Sequence, residues 1–168
     1  MTSTEEQEEE KIWDILQTVC DPEVPVLSIL DLGIVRELRI SSSPTGEAWE
    51  GTIVITPTYS GCPAMDAISM DIKLKLLEHG YKNIKIISVL SPAWTTDWMS
   101  EEGKRKLLEY GIAPPQESGH SKWPDSLPPC PQCQSSSTKL LSQFGSTACK
   151  ALYQCNDCKE PFDYFKCH

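Results

Sequence analysis

Four cysteines near the C-terminus constrain this chain more than any other feature. They form two C-x-x-C motifs, Cys130–Cys133 and Cys155–Cys158, at a spacing slightly longer than the usual zinc-ribbon template. Each motif is typical of a turn that presents two thiolates to one metal ion, and two such turns complete a tetrahedron. The sequence therefore predicts a zinc-ribbon-like module over residues 130–168 with structural zinc. A disulfide-linked or an iron–sulfur tail is the alternative.

The expected size of this module makes the metal a folding element. A segment this short has too little apolar core to fold alone, so metal binding is expected to supply most of its folding free energy. Two further cysteines leave the ligand set open. Cys149 is either a further ligand or a buried spectator, and Cys167, next to the terminal histidine, is expected to be a spectator.

A second sulfur site is predicted around Cys62. Residues 51–56 have the composition of a strand, and Pro63 suits the first position of a helix whose apolar residues recur as far as Leu76. A thiol at a helix N-terminus lies among unpaired amide donors and at the positive end of the helix dipole. Both favour the thiolate, which binds metals and attacks electrophiles. The alternative is a buried cysteine that only fills a turn.

The order of predicted elements indicates an α+β protein. Residues 12–113 follow the order helix-strand-strand-helix-strand-helix, which predicts a small two-layer α/β domain ahead of the ribbon-like module. Residues 1–11 are predicted to be an acidic disordered tail, and residues 114–129, rich in Pro and Ser, a linker. The helix after Ser100 is expected to end at Gly111. The predicted core consists of Ile15, Leu38, Ile53, Ile55, Ile68, Ile72, Ile86, Val89 and Leu107.

The charge distribution argues against a nucleic-acid partner. The formal net charge is −9, and all of it arises before residue 114, where 19 acidic residues face 10 basic ones. No basic footprint for nucleic acid is present. No apolar run is long enough to cross a bilayer, and no secretory signal precedes the first helix. These observations predict a cytoplasmic protein without a membrane partner.

Several motifs resemble known families. Residues 21–25 (DPEVP), 28–33 (SILDLG) and 56–63 (TPTYSGCP) resemble the SufT-like family of small domains linked to iron–sulfur cluster assembly. In the tail, residues 144–153 (FGSTACKALY), the two C-x-x-C turns and residues 160–166 (EPFDYFK) resemble the PaaD family. Members of that family are accessory proteins of the multicomponent phenylacetyl-CoA epoxidase in aerobic phenylacetate degradation. The resemblance extends over nearly the whole chain after the acidic segment.

The resemblance implies a bacterial accessory protein rather than an enzyme. It implies maturation or repair of the iron–sulfur cluster of the epoxidase reductase, with the reductase and oxygenase subunits as partners. A transient iron ion or cluster is expected at Cys62, together with Asp21, Glu23 and Asp31, while Thr56 and Thr58 donate hydrogen bonds to the bound sulfur. The sequence also lacks the two Glu-x-x-His motifs that a diiron helix bundle requires, and it has no Gly-rich nucleotide loop.

Two other functional classes remain open on sequence grounds. A non-catalytic adaptor subunit would use tryptophans as anchors, and Trp94 and Trp98 fall in a loop that looks exposed, while Trp123 falls in the linker. Ordinary packing against the core is the alternative, and it is the one favoured for each tryptophan singly. A thiol enzyme with Cys62 as nucleophile is disfavoured, because His79 falls at the far end of the same predicted helix.

Overall fold

A computed structural model describes residues 4–46, 48–116 and 126–166 of the chain. The chain divides into two compact units between Trp94 and Thr95. The first unit contains α1 (Thr4–Gln17), β1 (Val35–Ser42), β2 (Trp49–Ile55), α2 (Ala64–Glu78) and β3 (Asn83–Ser88). The second contains a 3₁₀ turn (Thr96–Trp98), α3 (Glu101–Tyr110), β4 (Thr138–Ser142), β5 (Lys150–Cys155) and β6 (Pro161–Phe165). Among the described residues, no helix has the length and apolarity that a membrane crossing requires.

The first unit is built on a mixed sheet in the order β1-β2-β3. β1 and β2 form the predicted antiparallel hairpin, whereas β2 and β3 are parallel. Parallel neighbours need a crossover connection, and α2 supplies it. Helix α1 contacts β1 and α2, and α2 contacts β3. The predicted α+β class is confirmed, and the topology places the loop before α2 at the carboxyl end of β2.

Most of the predicted core is buried, and the exceptions lie at a sheet edge. Ile53, Ile55 and Ile72 are inaccessible to solvent. Ile86 and Val89 are only half-buried. β3 has a strand on one side only, so the residues of this segment receive less cover than those of the central strand β2.

Helix α1 begins earlier than the sequence analysis predicted. Residues 4–11 are helical and not a disordered tail. Glu5 and Glu6 lie in the first turn, where carboxylates interact favourably with the helix dipole. Glu8 is also held by a tertiary contact, because the hydroxyl of Tyr81 donates to its Oε2 at 2.6 Å. That contact joins residues 73 positions apart, which no local pattern reveals.

Trp94 is a packing residue and not an exposed anchor. Its side chain is 3% exposed, and its indole N–H donates to the carbonyl of Leu32 at 2.8 Å. Trp98 is half-buried, and Trp123 lies outside the described residues. The exposed position that the loop suggested is therefore wrong for Trp94, and packing against the core, the favoured alternative, is confirmed, because the indole N–H has a backbone acceptor and the ring is buried.

The second unit carries a three-stranded antiparallel sheet in the order β4-β5-β6. The helix before it is capped as predicted: the Ser100 hydroxyl accepts from the amide of Gly103, and Gly111 ends α3 in the left-handed conformation. Ala113 then bridges to β6, where its amide donates to the carbonyl of Asp163 at 2.8 Å. Contacts of the sheet thus begin at Ala113, directly before the first residue of the predicted linker.

An aromatic cluster lies within this second sheet. The rings of Tyr153 and Phe162 stack at 5.9 Å, and Tyr164 meets Tyr153 edge-on at 5.8 Å. All three side chains are buried, together with Cys130 and Cys155. The module therefore has more apolar core than its length suggested, and that core adjoins the sulfur atoms directly.

Candidate metal sites

The two C-x-x-C turns have the same backbone construction. In the first turn, the amide of Cys130 donates to the carbonyl of Ser135 at 2.9 Å. In the second turn, the amide of Cys155 donates to the carbonyl of Glu160 at 3.0 Å. The residue after each second cysteine has a positive φ, 61° at Gln134 and 67° at Lys159. Each turn is thereby closed on itself, and its two thiols are directed to one side.

The four thiols converge on a single point. The Sγ atoms of Cys130, Cys133, Cys155 and Cys158 all lie within 4.8 Å of one another. The Sγ–Sγ distances are 3.7 Å for Cys130 and Cys158 and 3.5 Å for Cys133 and Cys155. A zinc–sulfur bond of ~2.3 Å implies an edge of ~3.8 Å for a regular tetrahedron. Both distances are far longer than a disulfide bond of ~2.0 Å. The donor set and its geometry fit zinc.

Electrostatics in this cluster favour a bound cation. Backbone amides of Cys158 and Asp157 donate to the Cys155 sulfur and lower the pKa of that thiol to about 7. The amide of Glu160 favours the Cys158 thiolate, but burial and the neighbouring thiols of Cys133, Cys155 and Cys130 outweigh it and raise the pKa of Cys158 to about 12. Like charges this close do not all ionise unless a cation lies between them.

Cys149 does not belong to the four-cysteine cluster. Its side chain is 5% exposed, and its Sγ lies 3.1 Å from the Thr147 hydroxyl. The backbone carbonyl of Cys149 accepts from the amide of Lys166 at 2.9 Å. Of the two roles that the sequence left open, the structure gives Cys149 the packing role. Cys167 lies outside the described residues.

Cys62 lies in the loop that joins β2 to α2. Pro63 is the N-cap of α2, with a helical φ of −67°, and the helix begins at Ala64. The amide of Cys62 donates to the Tyr59 carbonyl at 3.3 Å, and its carbonyl accepts from Met65 at 3.2 Å. The thiol is half-buried. The predicted position at the start of a helix is confirmed, and solvent reaches part of the side chain.

Asp21 and Asp31, the two aspartates expected near Cys62, have local structural roles. The carboxylate of Asp21 accepts from the amides of Glu23 and Val24 at 2.7 and 2.8 Å, which holds the turn after α1. The carboxylate of Asp31 is buried and accepts from the amide of Ser28, whose hydroxyl accepts in return from the amide of Asp31. Both side chains thus satisfy backbone groups of their own loops.

These acidic residues do not join Cys62 in a ready-made ligand set. Among the described residues, the only group of three or more Cys, His, Asp or Glu ligand atoms within 4.8 Å of one another is the four-cysteine cluster. His79, the histidine considered as a base, is the C-cap of α2, at the opposite end of the helix from Cys62. Cys62 therefore does not belong to a preformed group of three or more ligand atoms in the part of the chain that the structure describes.

Thr56 is an unusual residue at the start of the same loop. It is 1% exposed, and its hydroxyl is the one buried side-chain N or O atom without a hydrogen-bond partner in the described part of the chain. A buried hydroxyl without a partner is costly, so native structures rarely retain one without a reason. Thr58, the second predicted donor, is half-buried.

The comparisons with known proteins agree with this two-part organisation. Residues 9–79 match the family model of iron-sulfur cluster assembly proteins, which includes Cys62. Residues 114–166 match the PaaD zinc beta ribbon domain, which includes the four-cysteine cluster. A crystal structure of a domain of unknown function, DUF59, from Bacillus anthracis is similar with a TM-score of 0.55 and 29% identity. It covers 62% of this chain and 94% of that chain.

Two relatives are similar over large parts of the sequence. An Fe-S protein maturation auxiliary factor from Porphyromonas gingivalis is 37% identical over 107 residues, which cover 63% of this chain and 93% of that protein. A protein of Escherichia coli K12, whose name assigns it to 1,2-phenylacetyl-CoA epoxidase as one of the subunits, is 49% identical over 160 residues. That alignment covers 94% of this chain and 92% of the relative. The chain therefore belongs to the PaaD family, whose named member is a component of phenylacetyl-CoA epoxidase.

Proposed function

We propose that this protein is an accessory factor of a phenylacetyl-CoA epoxidase system, where it matures or repairs the iron–sulfur cluster of the reductase. The observation that carries the proposal is the position of Cys62, a partly accessible thiol in the domain that matches the iron-sulfur cluster assembly model. The relative named as an Fe-S maturation factor is 93% covered by an alignment of 107 residues. The ribbon match spans only residues 114–166, so at least half of that alignment lies outside the ribbon.

In this proposal the iron ion or cluster is cargo and not a resident cofactor. Cys62 supplies one sulfur ligand from the loop that leads into α2, where the thiol is half-buried. A single protein thiolate releases its cargo more readily than a closed set of four, which suits transfer to an acceptor. The Thr56 hydroxyl is available to donate to a sulfide or thiolate in the bound state, which would relieve its lack of a partner.

The acidic residues enter the proposal with a reduced role. Asp21, Glu23 and Asp31 are expected to shape the loops next to the cargo, because Asp21 and Asp31 already hold their own turns. They complete the ligand set only if cargo binding rearranges those turns. The ribbon is proposed to hold structural zinc through Cys130, Cys133, Cys155 and Cys158, and to take no part in transfer.

A reconstitution experiment tests the proposal. The full chain with its zinc bound is loaded with ferrous iron and sulfide, separated from free ions, and mixed with the apo-reductase of the same system. We expect the Cys62→Ala variant to deliver at least tenfold less cluster than wild type, measured by the visible absorption of the reductase and its electron-transfer rate. Zinc content and unfolding free energy are expected to stay unchanged.

The matched control is Cys20→Ala. Cys20 is an exposed cysteine of the same unit, and its removal is expected to leave delivery intact. Equal delivery by wild type and Cys62→Ala would reject the transfer role. If both deliver nothing but the protein still binds the oxygenase and reductase with a defined stoichiometry, the adaptor role replaces it.

A further inference from the structure

The third strand of the first sheet has one unoccupied side. In the order β1-β2-β3, β3 pairs with β2 only, and no strand in the described part of the chain lies on its other side. Its residue Ile87 is 45% exposed. The outer backbone groups of such an edge are a template for an added strand.

Helix α2, which lies beside this edge, has two apolar faces. Ile68, Ile72 and Leu76 form the buried face. Met70, Leu74 and Leu77 form a second stripe at helical spacing, and their side chains are 58%, 50% and 41% exposed. A helix in a small domain needs only one apolar face for its own core, so a second stripe indicates contact with another molecule.

An open groove of about 1430 Å³ runs along the strand edge and reaches one residue of the exposed stripe, Met70, whereas Leu74 and Leu77 are not part of its lining. On one side it is lined by Met70 and Lys73 of α2. On the other it is lined by the sheet, by residues of β3 that include Lys85 and Ile87 and by residues of β1 and β2 such as Arg39 and Thr52. Residues 84 and 86 of β3 share the face of the sheet with buried Ile53, whereas residues 85 and 87 point to the opposite face. The groove therefore follows both sides of the strand edge.

The charge of this groove is opposite to that of the chain. Lys73, Lys82 and Lys85 line it, and none of them forms an ion pair among the residues that the structure describes. The two acidic side chains that line it are Asp66 and Glu50. Since the whole chain carries −9, these lysines form a basic island in an acidic protein. Charge complementarity therefore selects a negatively charged partner.

We propose that the groove between α2 and β3 docks an extended acidic segment of a partner protein, which joins the first sheet as a fourth strand beside β3. Alternate side chains of the segment lie toward Met70 and Lys73 or toward Lys85 and Ile87. Backbone pairing supplies affinity, and the lysines select acidic over basic sequences. The surface is independent of the chemistry of Cys62, so it goes beyond the proposed function.

Two other occupants fit this surface less well. A second copy that paired β3 with β3 would bring Lys82 and Lys85 of both copies close together, and like charges opposite each other destabilise a strand pair. An anionic membrane offers no backbone groups to the strand edge, and a chain of net charge −9 is repelled by it.

A peptide titration tests the proposal with the full, zinc-loaded chain. The probe is an acetylated octapeptide of alternating Glu and Val, and a peptide of alternating Lys and Val has the same length and pattern. With ¹⁵N-labelled protein, we expect the acidic peptide to shift the amide resonances of residues 83–88 and of Met70 and Lys73 in α2. The Lys73→Glu/Lys85→Glu variant is expected to bind the acidic peptide about tenfold more weakly and to bind the basic peptide instead.

Lys139→Glu is the control variant. Lys139 is an exposed lysine on β4, the edge strand of the other sheet, and its reversal is expected to leave binding of the acidic peptide unchanged. Equal binding of both peptides, or shifts confined to residues outside α2 and β3, would overturn the proposal. Concentration-dependent shifts of β3 without peptide would indicate a second copy as the occupant. If the protein bound neither peptide but sedimented with phosphatidylglycerol vesicles, the occupant would be a membrane. Each of these last two results would also overturn the proposal.

Discussion

The two sulfur sites of this chain differ in how much of the ligand set the fold supplies. In the ribbon, two self-closed turns bring four Sγ atoms within 4.8 Å of one another. In the N-terminal unit, one loop presents the half-buried thiol of Cys62, and the two aspartates that were expected beside it hold their own turns. A complete ligand set binds an ion tightly and stabilises the fold, whereas an incomplete one leaves positions for exchange. The comparison predicts opposite consequences when sulfur is removed from each site.

The largest effect is expected for Cys155→Ser. Loss of one of four thiolates should abolish high-affinity zinc binding, at a cost on the order of 10 kcal/mol of apparent binding free energy. The aromatic cluster of Tyr153 adjoins Cys155, so the near-ultraviolet circular dichroism of the ribbon should disappear as well. Elemental analysis of the purified protein measures the zinc. The control variant Cys149→Ala should retain one equivalent, because Cys149 lies outside the cluster; a zinc-loaded Cys155→Ser protein would contradict the assignment.

Thr56→Val should separate stability from function in the N-terminal unit. Valine has nearly the shape of threonine and removes a buried hydroxyl without a partner, so we expect the unfolding free energy to rise by about 1 kcal/mol. Cluster delivery should fall severalfold, because the donor to bound sulfur is lost. Urea unfolding and the reductase assay measure the two quantities. The control is Thr52→Val in β2, the strand that precedes Thr56. If Thr56→Val is stabilised and delivers normally, the hydroxyl has no role in cargo binding.

Tyr81→Phe should destabilise the N-terminal unit by about 1 kcal/mol at neutral pH, because it removes the hydrogen bond to Glu8. Hydrogen bonds from Lys11 and then from Tyr81 lower the pKa of Glu8 below its ordinary value of 4.5. A lowered folded-state pKa gives stability that is present above pH 4.5 and is lost as the pH falls through the folded-state value.

Urea unfolding from pH 7 to pH 3 checks this prediction. The difference between wild type and Tyr81→Phe should shrink below pH 4.5 as Glu8 is protonated. The zinc-dependent signal of the ribbon provides an internal control, because Tyr81→Phe should not alter it at pH 7. If the difference in unfolding free energy between wild type and Tyr81→Phe stayed the same from pH 7 to pH 3, the hydrogen bond would not depend on the charge of Glu8, and the prediction would be wrong.

The smallest effect is expected for Gln134→Gly in the ribbon. Gln134 has a φ of 61°, which glycine adopts without steric cost, so the substitution should stabilise the ribbon by about 0.5–1 kcal/mol. The zinc content should not change. Thermal unfolding followed at the tyrosine signal measures the gain. Gln132→Gly, at a position without a positive φ, should instead lower stability; the same change for both variants would argue against strain at Gln134.

Features that depend on neighbouring residues in the sequence could be predicted. The C-x-x-C turns, the Ser100 cap, the Gly111 stop and the helix start after Cys62 all follow from local spacing and backbone preference. Each is stabilised by bonds between residues close in sequence, so a short motif contains the information needed. The resemblance to known families added the identity of the two domains, which no local rule provides.

Features that depend on distant contacts could not be predicted. The early start of α1 involves Tyr81, and the burial of Trp94 depends on the carbonyl of Leu32. The contacts of the Asp21 and Asp31 carboxylates are local, within two or three residues, but the same local pattern fits a metal ligand and a turn residue, so only the folded loops show the backbone contacts. The positive φ at Gln134 and Lys159 was also missed. Their shared position, directly after the second cysteine of each motif, is the signal that could have revealed it.

The self-closure of each C-x-x-C turn has a consequence for how the ribbon tolerates change. Cys130 and Cys155 each bond to a carbonyl five residues further on, so each turn closes on its own backbone, and the amide of Asn156 also donates to the Ser137 carbonyl, which joins the two turns directly. The stretch between the turns is then free to lengthen or shorten, as long as β4 and β5 still pair. Insertions near residues 143–149 should therefore be accommodated by the hairpin loop, leaving the tetrahedron of sulfur atoms as it is.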